Sequence, residues 1–153
     1  MMKYFIENHE EYIKENPVKI LQTIYKDEKF KELKILYLKK FCDYSEELFK
    51  SNDFESLEQS VLLEVLKCDN FFADEIVIWE NILKWGLAKH PEINNINIKN
   101  WSSQNFIDLD NTVKDFLYLI RYQDITKEDF FDKILPYQTL FLRLYLKFFF
   151  NII

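Results

Sequence analysis

Histidine and cysteine are the side chains best suited to metal or nucleophilic chemistry, and this sequence has two of each. His9 and His90 are separated by most of the chain, and Cys42 and Cys68 also lie far apart. Zinc sites usually hold paired ligands roughly two to five residues apart, and no pair here has that spacing. The run after His9 lacks the second histidine that a zinc-protease helix requires. The sequence therefore predicts no metal site.

Other catalytic arrangements are also missing from the sequence. Its single glycine cannot supply a Gly-x-Ser-x-Gly nucleophile elbow or a glycine-rich loop around a phosphate. Neighbouring carboxylates such as Glu10-Glu11 and Glu46-Glu47 have the pattern of solvated helix faces. We therefore expect no catalytic residue and no cofactor. A small hydrolase or metalloprotein is the least favoured of the functions considered.

The composition and the N-terminal sequence indicate which partners and which cellular compartment to expect. The formal net charge is -6, and phosphate binding requires concentrated lysine and arginine, so nucleic acid is not an expected partner. The N-terminus turns acidic at once and has no long apolar stretch, unlike a secretory signal. These features predict an intracellular protein, most simply a cytoplasmic one. Cys42 and Cys68 are then expected to be reduced core thiols, with a disulfide as the second possibility.

Apolar residues recur at helical spacing along most of the chain, so any site would be positioned by helices. One glycine and three prolines are too few for a fold made of many tight turns. The sequence predicts an all-α fold, a single array of about seven to eight short helices in antiparallel or orthogonal pairs. The prediction treats 1–153 as one domain. Its first helices are expected at residues 3–25, its central helices at 57–67 and 74–89, and its C-terminal helix at about 138–150.

The pattern also predicts the shorter elements between these helices. A helix is predicted to begin near Phe30, with Leu36 on its apolar side and an interruption or a fresh cap at 45–47. Residues 90–100 are expected to form an irregular loop.

Two helices are expected after this loop. The first is predicted to start at Ser102 or Ser103 and to hold Ile107 on its apolar side. The second is a short helix that Thr126 caps, that includes Phe131 and that ends at Pro136.

The stretch from Ser56 to Pro91 carries the strongest helix signals. Ser56 and Gln59 form a capping-box pattern, which predicts an N-cap for the helix at 57–67. Asp74 is predicted to cap the next helix, in which Trp79 and Trp85 belong to an apolar surface that covers most of the circumference. Such a helix is expected to be central and covered on several sides. Asp74, Trp79 and Trp85 are therefore predicted to have structural roles.

The same stretch resembles the BACK domain, an all-helical module that follows the BTB domain in BTB-Kelch adaptor proteins. The resemblance covers roughly residues 5–150 and is moderately to strongly specific. Its main positions are Leu66, Asp69, Phe71, Glu75, Ile78, Trp79, the run 82–86 and the run 119–122. It implies a non-catalytic scaffold for cullin-dependent ubiquitin ligation. In BTB-BACK proteins the first BACK helices help to form the cullin groove, a role that would fall here on residues 3–25.

Aromatic-rich helices at both ends of the chain are the candidate partner surfaces. The residues expected to contact a partner are Phe5, Tyr12, Ile13, Phe141, Tyr145 and Phe148. The family pattern places a BTB domain before this module and a Kelch or other domain after it, and the 153-residue sequence contains neither. Whether it is a fragment of a longer protein, and whether cullin binding survives without BTB, is left open. Oligomeric state and partner identity also stay open.

Two further residues have a structural and a functional interpretation. Gly86 lies inside a predicted helix, where glycine costs about 1 kcal/mol relative to alanine, so it is expected to permit a close helix approach. A flexible point near the helix end is the alternative. Arg121 lies in an apolar context, which favours a packed stem and a head paired with a carboxylate or helix carbonyls. A partner contact is the alternative.

The C-terminal residues 140–153 raise the possibility of membrane association. The stretch is apolar except for Arg143, Lys147 and Asn151, which fall on one helical stripe. A bilayer span requires ~20 apolar residues, and this run is shorter. The length favours a buried terminal helix, and an amphipathic membrane anchor is the alternative.

Overall fold

The computed structural model describes residues 9–69 and 71–140 of the 153-residue chain. Within these ranges every regular element is helical and no strand occurs, which confirms the predicted all-α class. The α-helices described are α1 (Glu10–Glu15), α2 (Pro17–Lys26), α3 (Lys31–Asp43), α4 (Ser45–Lys50), α5 (Gln59–Leu66), α6 (Glu75–Leu87), α7 (Pro91–Asn94), α8 (Ser103–Leu117) and α9 (Lys127–Asp129). Short 3-10 turns and one π-helical turn at Phe130–Ile134 join or extend them.

The chain divides into two compact units, Met1–Ala73 and Asp74–Ile153. The sequence predicts a single domain with two central helices, which correspond to α5 and α6. The boundary between the two units falls between these helices. Both units bury large apolar side chains. Those of the first include Ile13, Leu21, Phe41, Leu48, Phe54, Leu57 and Leu62, and those of the second include Trp79, Ile82, Ile93, Leu109 and Phe116.

Helices α1 to α4 of the first unit follow the predicted pattern with one correction. Pro17 occupies the first turn of α2, where its missing N–H costs no hydrogen bond. The helix predicted to begin near Phe30 breaks at Tyr44, beside the interruption considered at 45–47, and α4 begins at Ser45. Leu36 was expected on the buried stripe of this helix, but 37% of its surface is exposed. The core is instead contacted by the face of α3 that holds Tyr37, Phe41 and Cys42.

The predicted capping box at Ser56 is wrong. Helix α5 begins at Gln59 with Glu58 at its N-cap, and Ser56 ends a 3-10 turn that starts at Phe54. The Ser56 hydroxyl donates to the Asp53 carbonyl oxygen at 2.7 Å, within that turn. Leu57 is buried between the turn and the helix, with extended backbone. Burial of Leu57 thus delays the start of the helix beyond the predicted position.

The expectation of two reduced thiols is also wrong for this structure. Cys42 and Cys68 are joined as a disulfide, with their Cα atoms 6.8 Å apart and a sequence separation of 26 positions. Cys42 lies at the C-terminal end of α3, and Cys68 follows α5. Nearby, the Phe72 N–H donates to the Cys42 carbonyl oxygen, and the Ser45 hydroxyl donates to the Phe72 carbonyl oxygen. Tertiary folding therefore brings together residues whose sequence spacing gives no sign of pairing.

The second unit is built on α6, which packs along α8. Asp74 occupies the N-cap of α6 with extended backbone, as predicted, although its side chain makes no capping hydrogen bond. Helix α8 starts at Ser103 as predicted, because Ser102 and Asn105 form a reciprocal capping box. Residues 90–100 were expected to be irregular, yet they contain α7 and a 3-10 turn at Ile98–Asn100.

The segment after α8 confirms one cap and corrects one helix end. Thr126 caps α9, and its hydroxyl oxygen accepts a hydrogen bond from the Asp129 N–H at 3.1 Å. The short helix was expected to stop at Pro136, but this proline lies within a 3-10 turn at Leu135–Tyr137. Ile107 and Phe131, expected on apolar helix faces, are exposed. The predicted helix at 138–150 is helical over 138–140, and its remainder lies outside the described residues.

Candidate functional site

The candidate partner residues divide into three groups. Tyr12 on α1 has 48% of its surface exposed and remains available for a contact. Ile13 is buried in the core of its unit, so the expectation that it lies at a partner surface is not met. The other four candidates, Phe5, Phe141, Tyr145 and Phe148, lie outside the described residues.

Arg121 is paired with a carboxylate, as the structural interpretation expects, but its side chain is largely exposed, so the packed stem of that interpretation is not found. Its Nε atom lies 2.6 Å from Glu75 Oε1, and its backbone N–H donates to Glu75 Oε2 at 2.9 Å. The hydrogen bond to Glu75 is the main reason why the pKa of Arg121 is raised above its ordinary value. The Arg121 side chain is 62% exposed whereas that of Glu75 is 5% exposed. The desolvated member of the pair is therefore Glu75, in the first turn of α6.

Removal of the Glu75 carboxylate is expected to destabilise the fold more than its neutralisation. Glu75→Ala leaves the Arg121 N–H without its acceptor, and we expect a loss of about 1–3 kcal/mol in the free energy of unfolding. Glu75→Gln keeps one oxygen for that N–H, so its loss should be smaller. Urea unfolding followed by circular dichroism measures both. Equal midpoints for the two variants would contradict the assigned role of the backbone hydrogen bond.

Trp79 and Trp85 on α6 are structural residues. Trp79 is fully buried and donates its indole N–H to the Lys133 carbonyl oxygen at 3.3 Å. Its ring meets those of Tyr122 and Tyr137 edge-on, and burial raises the pKa of both tyrosines. Trp85 is buried against Phe116, with ring centroids 5.2 Å apart. Both tryptophans thus pack α6 against elements that follow it in the second unit.

Gly86 lies where α6 approaches α8 most closely. A Cβ atom at this position would collide with Val113 Cγ1 and would lie 3.1 Å from Leu109 Cδ1. Val113 and Leu109 are fully buried, so neither can turn its side chain into solvent. The packing interpretation of Gly86 therefore holds, and the alternative of a flexible point does not explain this geometry.

The histidines and carboxylates of the described ranges serve local structure. His90 Nε2 lies 2.7 Å from the Thr112 hydroxyl, and its Nδ1 lies 3.2 Å from Glu92 Oε1. Lys133 bridges Glu80 at 3.0 Å and Asp129 at 3.1 Å. The hydrogen bond from Lys133 lowers the pKa of Asp129 below its usual value. Across residues 9–69 and 71–140, no three His, Cys, Asp or Glu side chains form a group that could hold a metal.

An open cleft in the first unit lies beside α1 and α4. Its walls carry both signs of charge, and the residues that line it are Lys14, Glu15, Pro17, Glu47, Lys50, Ser51, Asn52 and Asp53. Lys50 is paired with Glu46 at 2.7 Å, and Lys14 lies 3.8 Å from Glu10 and over the Tyr44 ring. Because both lysines already have partners, the cleft offers no unpaired cation to bind an anionic ligand.

Exposed apolar side chains are the feature that sequence periodicity missed. Ile35 and Leu36 on α3, Phe72 after α5, Ile107 on α8 and Phe131 after α9 all project into solvent. Mixed spacing within α3 could have indicated this, since apolar residues there cover more than one face. Among the described residues no helix combines the length and apolar character needed to cross a bilayer. The proposed C-terminal anchor at 140–153 lies almost entirely outside those residues.

Similarity to known proteins gives no independent assignment of the chain. A comparison with protein-family models, with curated proteins and with solved structures finds no match.

Proposed function

We propose that the chain is a non-catalytic protein-interaction module of the BACK type, a scaffold component of cullin-dependent ubiquitin ligation. The proposal includes a cytoplasmic location, since cullin scaffolds work there. The all-helical fold agrees with the resemblance. Trp79, Trp85 and Gly86, which belong to the resembling positions, all have packing roles in the second unit.

The observation that carries the proposal is the exposure of Tyr12. The resemblance assigns the first helices to the cullin groove, and α1 presents this aromatic ring outward while the next residue, Ile13, anchors the helix in the core. Tyrosine is among the residues that contribute most to protein interfaces, because it adds a large apolar area at low entropic cost. A rigid helix with one exposed ring is a suitable contact element.

Calorimetric titration of the purified chain against the N-terminal domain of the BTB-associated cullin tests the proposal. We expect saturable binding, and we expect Tyr12→Ala to weaken it about tenfold, as loss of one buried aromatic contact does. Tyr118→Ala is the matched control, since Tyr118 is an exposed tyrosine of the second unit. Light scattering and circular dichroism establish beforehand that each protein is folded.

Two results would overturn the proposal. Absence of heat from a folded chain would mean that this module does not engage the cullin by itself. An equal loss of affinity in Tyr12→Ala and Tyr118→Ala would mean that α1 is not the contact element.

A further inference from the structure

Helix α3 displays two adjacent apolar side chains on the face that points away from the core. Ile35 is 68% exposed and Leu36 is 37% exposed, while Tyr37, Phe41 and Cys42 of the same helix are buried. An exposed apolar residue is ordinary when it stands alone. Ile35 and Leu36 leave the helix about 100° apart, so they border one another on its exposed surface, and a larger exposed apolar area is more typical of an interaction site.

Two lysines bracket this patch along the helix axis. Lys31 lies four residues before Ile35 and Lys39 lies four residues after it, so the Cα atoms of both lysines are on the same helix face as Ile35, each about 6 Å from its Cα along the axis. Both lysines are exposed, and within the described residues neither has a carboxylate partner. We define the α3 surface as the four residues Lys31, Ile35, Leu36 and Lys39.

The other two lysines of α3 differ from Lys31 and Lys39 because both contact other side chains of the first unit. Lys34 lies over the Tyr25 ring at 4.0 Å from its centroid, and Lys40 lies 3.7 Å from Glu10 Oε1. These contacts hold Lys34 and Lys40 against the first unit. Lys31 and Lys39 are therefore the cations that the helix presents to solvent beside its apolar patch.

The α3 surface lies on a helix with more cations than anions, although the chain as a whole is acidic. The chain has a formal net charge of -6, yet α3 contains four lysines and two acidic residues. Glu32, exposed one turn before Leu36, is the acidic residue closest in sequence to the patch. An apolar centre with cations at both ends is complementary to an apolar side chain flanked by carboxylates.

We propose that the α3 surface binds an acidic amphipathic segment of a protein partner. Its apolar side chains would cover Ile35 and Leu36, and its carboxylates would pair with Lys31 and Lys39. An anionic membrane is a poorer occupant, because an extended bilayer faces much of an acidic chain, whereas a short segment faces only the α3 surface and more distant charges are screened beyond about 8 Å at physiological ionic strength. This inference is independent of cullin binding through Tyr12, since it concerns a different helix and a different partner chemistry.

Fluorescence anisotropy with two synthetic peptides tests the assignment. The first probe is a labelled helical peptide in which leucines recur at helical spacing and glutamates fill the other positions. The second replaces every glutamate by lysine. We expect saturable binding of the intact chain to the glutamate peptide alone, with affinity that falls as salt is added because exposed ion pairs are screened.

Variants of the chain then locate the site. Ile35→Ser should weaken binding about tenfold, because an aliphatic side chain is no longer buried. Ile107→Ser is the matched control, since Ile107 is also an exposed isoleucine, on α8, and should bind as the parent does. The double substitution Lys31→Gln and Lys39→Gln should weaken binding and reduce its salt dependence.

Several outcomes would overturn the proposal. These are no saturable binding of the glutamate peptide, equal binding of both peptides, or equal effects of Ile35→Ser and Ile107→Ser. Flotation of the chain with phosphatidylserine vesicles, lost in Ile35→Ser while the peptide fails to bind, would assign the surface to a membrane. Self-association detected by light scattering and abolished by Ile35→Ser would assign it to a second copy of the chain.

Discussion

Gly86→Leu is expected to lower the free energy of unfolding by about 3 kcal/mol, which corresponds to a fall of roughly 10 °C in Tm. The first added atom already collides with Val113 Cγ1, and the second neighbour, Leu109 Cδ1, lies 3.1 Å from it. Val113 is β-branched and fully buried, so it has little freedom to move aside. Helices α6 and α8 would have to separate, which exposes the core between them. Differential scanning calorimetry measures the change.

Compensation by a smaller neighbour is the control for the Gly86 experiment. Val113→Ala removes the colliding atom, so the double variant should be more stable than the sum of the two single effects predicts. Gly86→Ala should cost less than Gly86→Leu, since both gain nearly 1 kcal/mol in helix propensity but alanine adds only the Cβ atom to the contact. An unchanged Tm in Gly86→Leu, or additivity in the double variant, would refute the close approach.

Reduction of the Cys42–Cys68 bond is expected to lower the free energy of unfolding by about 3 kcal/mol. The bond closes a loop with 26 residues of separation, and release of that loop restores conformational entropy to the unfolded chain. Urea unfolding of the oxidised chain with and without a phosphine reductant gives the difference. Under the proposed cytoplasmic location, the reduced protein is the form expected there, since cytoplasmic thiols are normally kept free.

A variant that cannot form the disulfide separates loss of this bond from any other effect of the reductant on stability. Cys68→Ser should unfold at the midpoint of the reduced parent, and the reductant should not change that midpoint. Mass spectrometry after alkylation of the unfolded, unreduced protein shows whether the thiols were joined. Full alkylation of both cysteines in air-oxidised protein, or a parent midpoint that ignores reductant, would contradict the disulfide.

The two interaction proposals concern surfaces of the same unit and have separate tests. Tyr12 is an exposed ring on α1, whereas the α3 surface combines apolar and cationic side chains. Loss of cullin binding with retained peptide binding would leave a module whose partner is acidic and unrelated to the cullin. The opposite result would leave α1 as the contact and α3 as a solvated face.

Local sequence signals determined the fold class and much of the helix content. Apolar residues at helical spacing, one glycine and three prolines specify helices. Caps at Asp74, Ser102 and Thr126 lie where the pattern places them, because an N-cap depends on the few residues around it. The single glycine inside an apolar helix also pointed correctly to a close approach, since its cost requires a packing reason.

Tertiary structure decided which apolar residues are buried and which distant residues meet. Periodicity placed Leu36 on a buried stripe, and the family resemblance placed Ile13 at a partner surface, yet the packing of α3 exposes the first and the core encloses the second. The Ser56 cap failed because burial of Leu57 ended the preceding turn. The pairs Cys42–Cys68 and Glu75–Arg121 join residues 26 and 46 positions apart. Such contacts depend on how helices cross, and the helical period of one segment contains no information about that crossing.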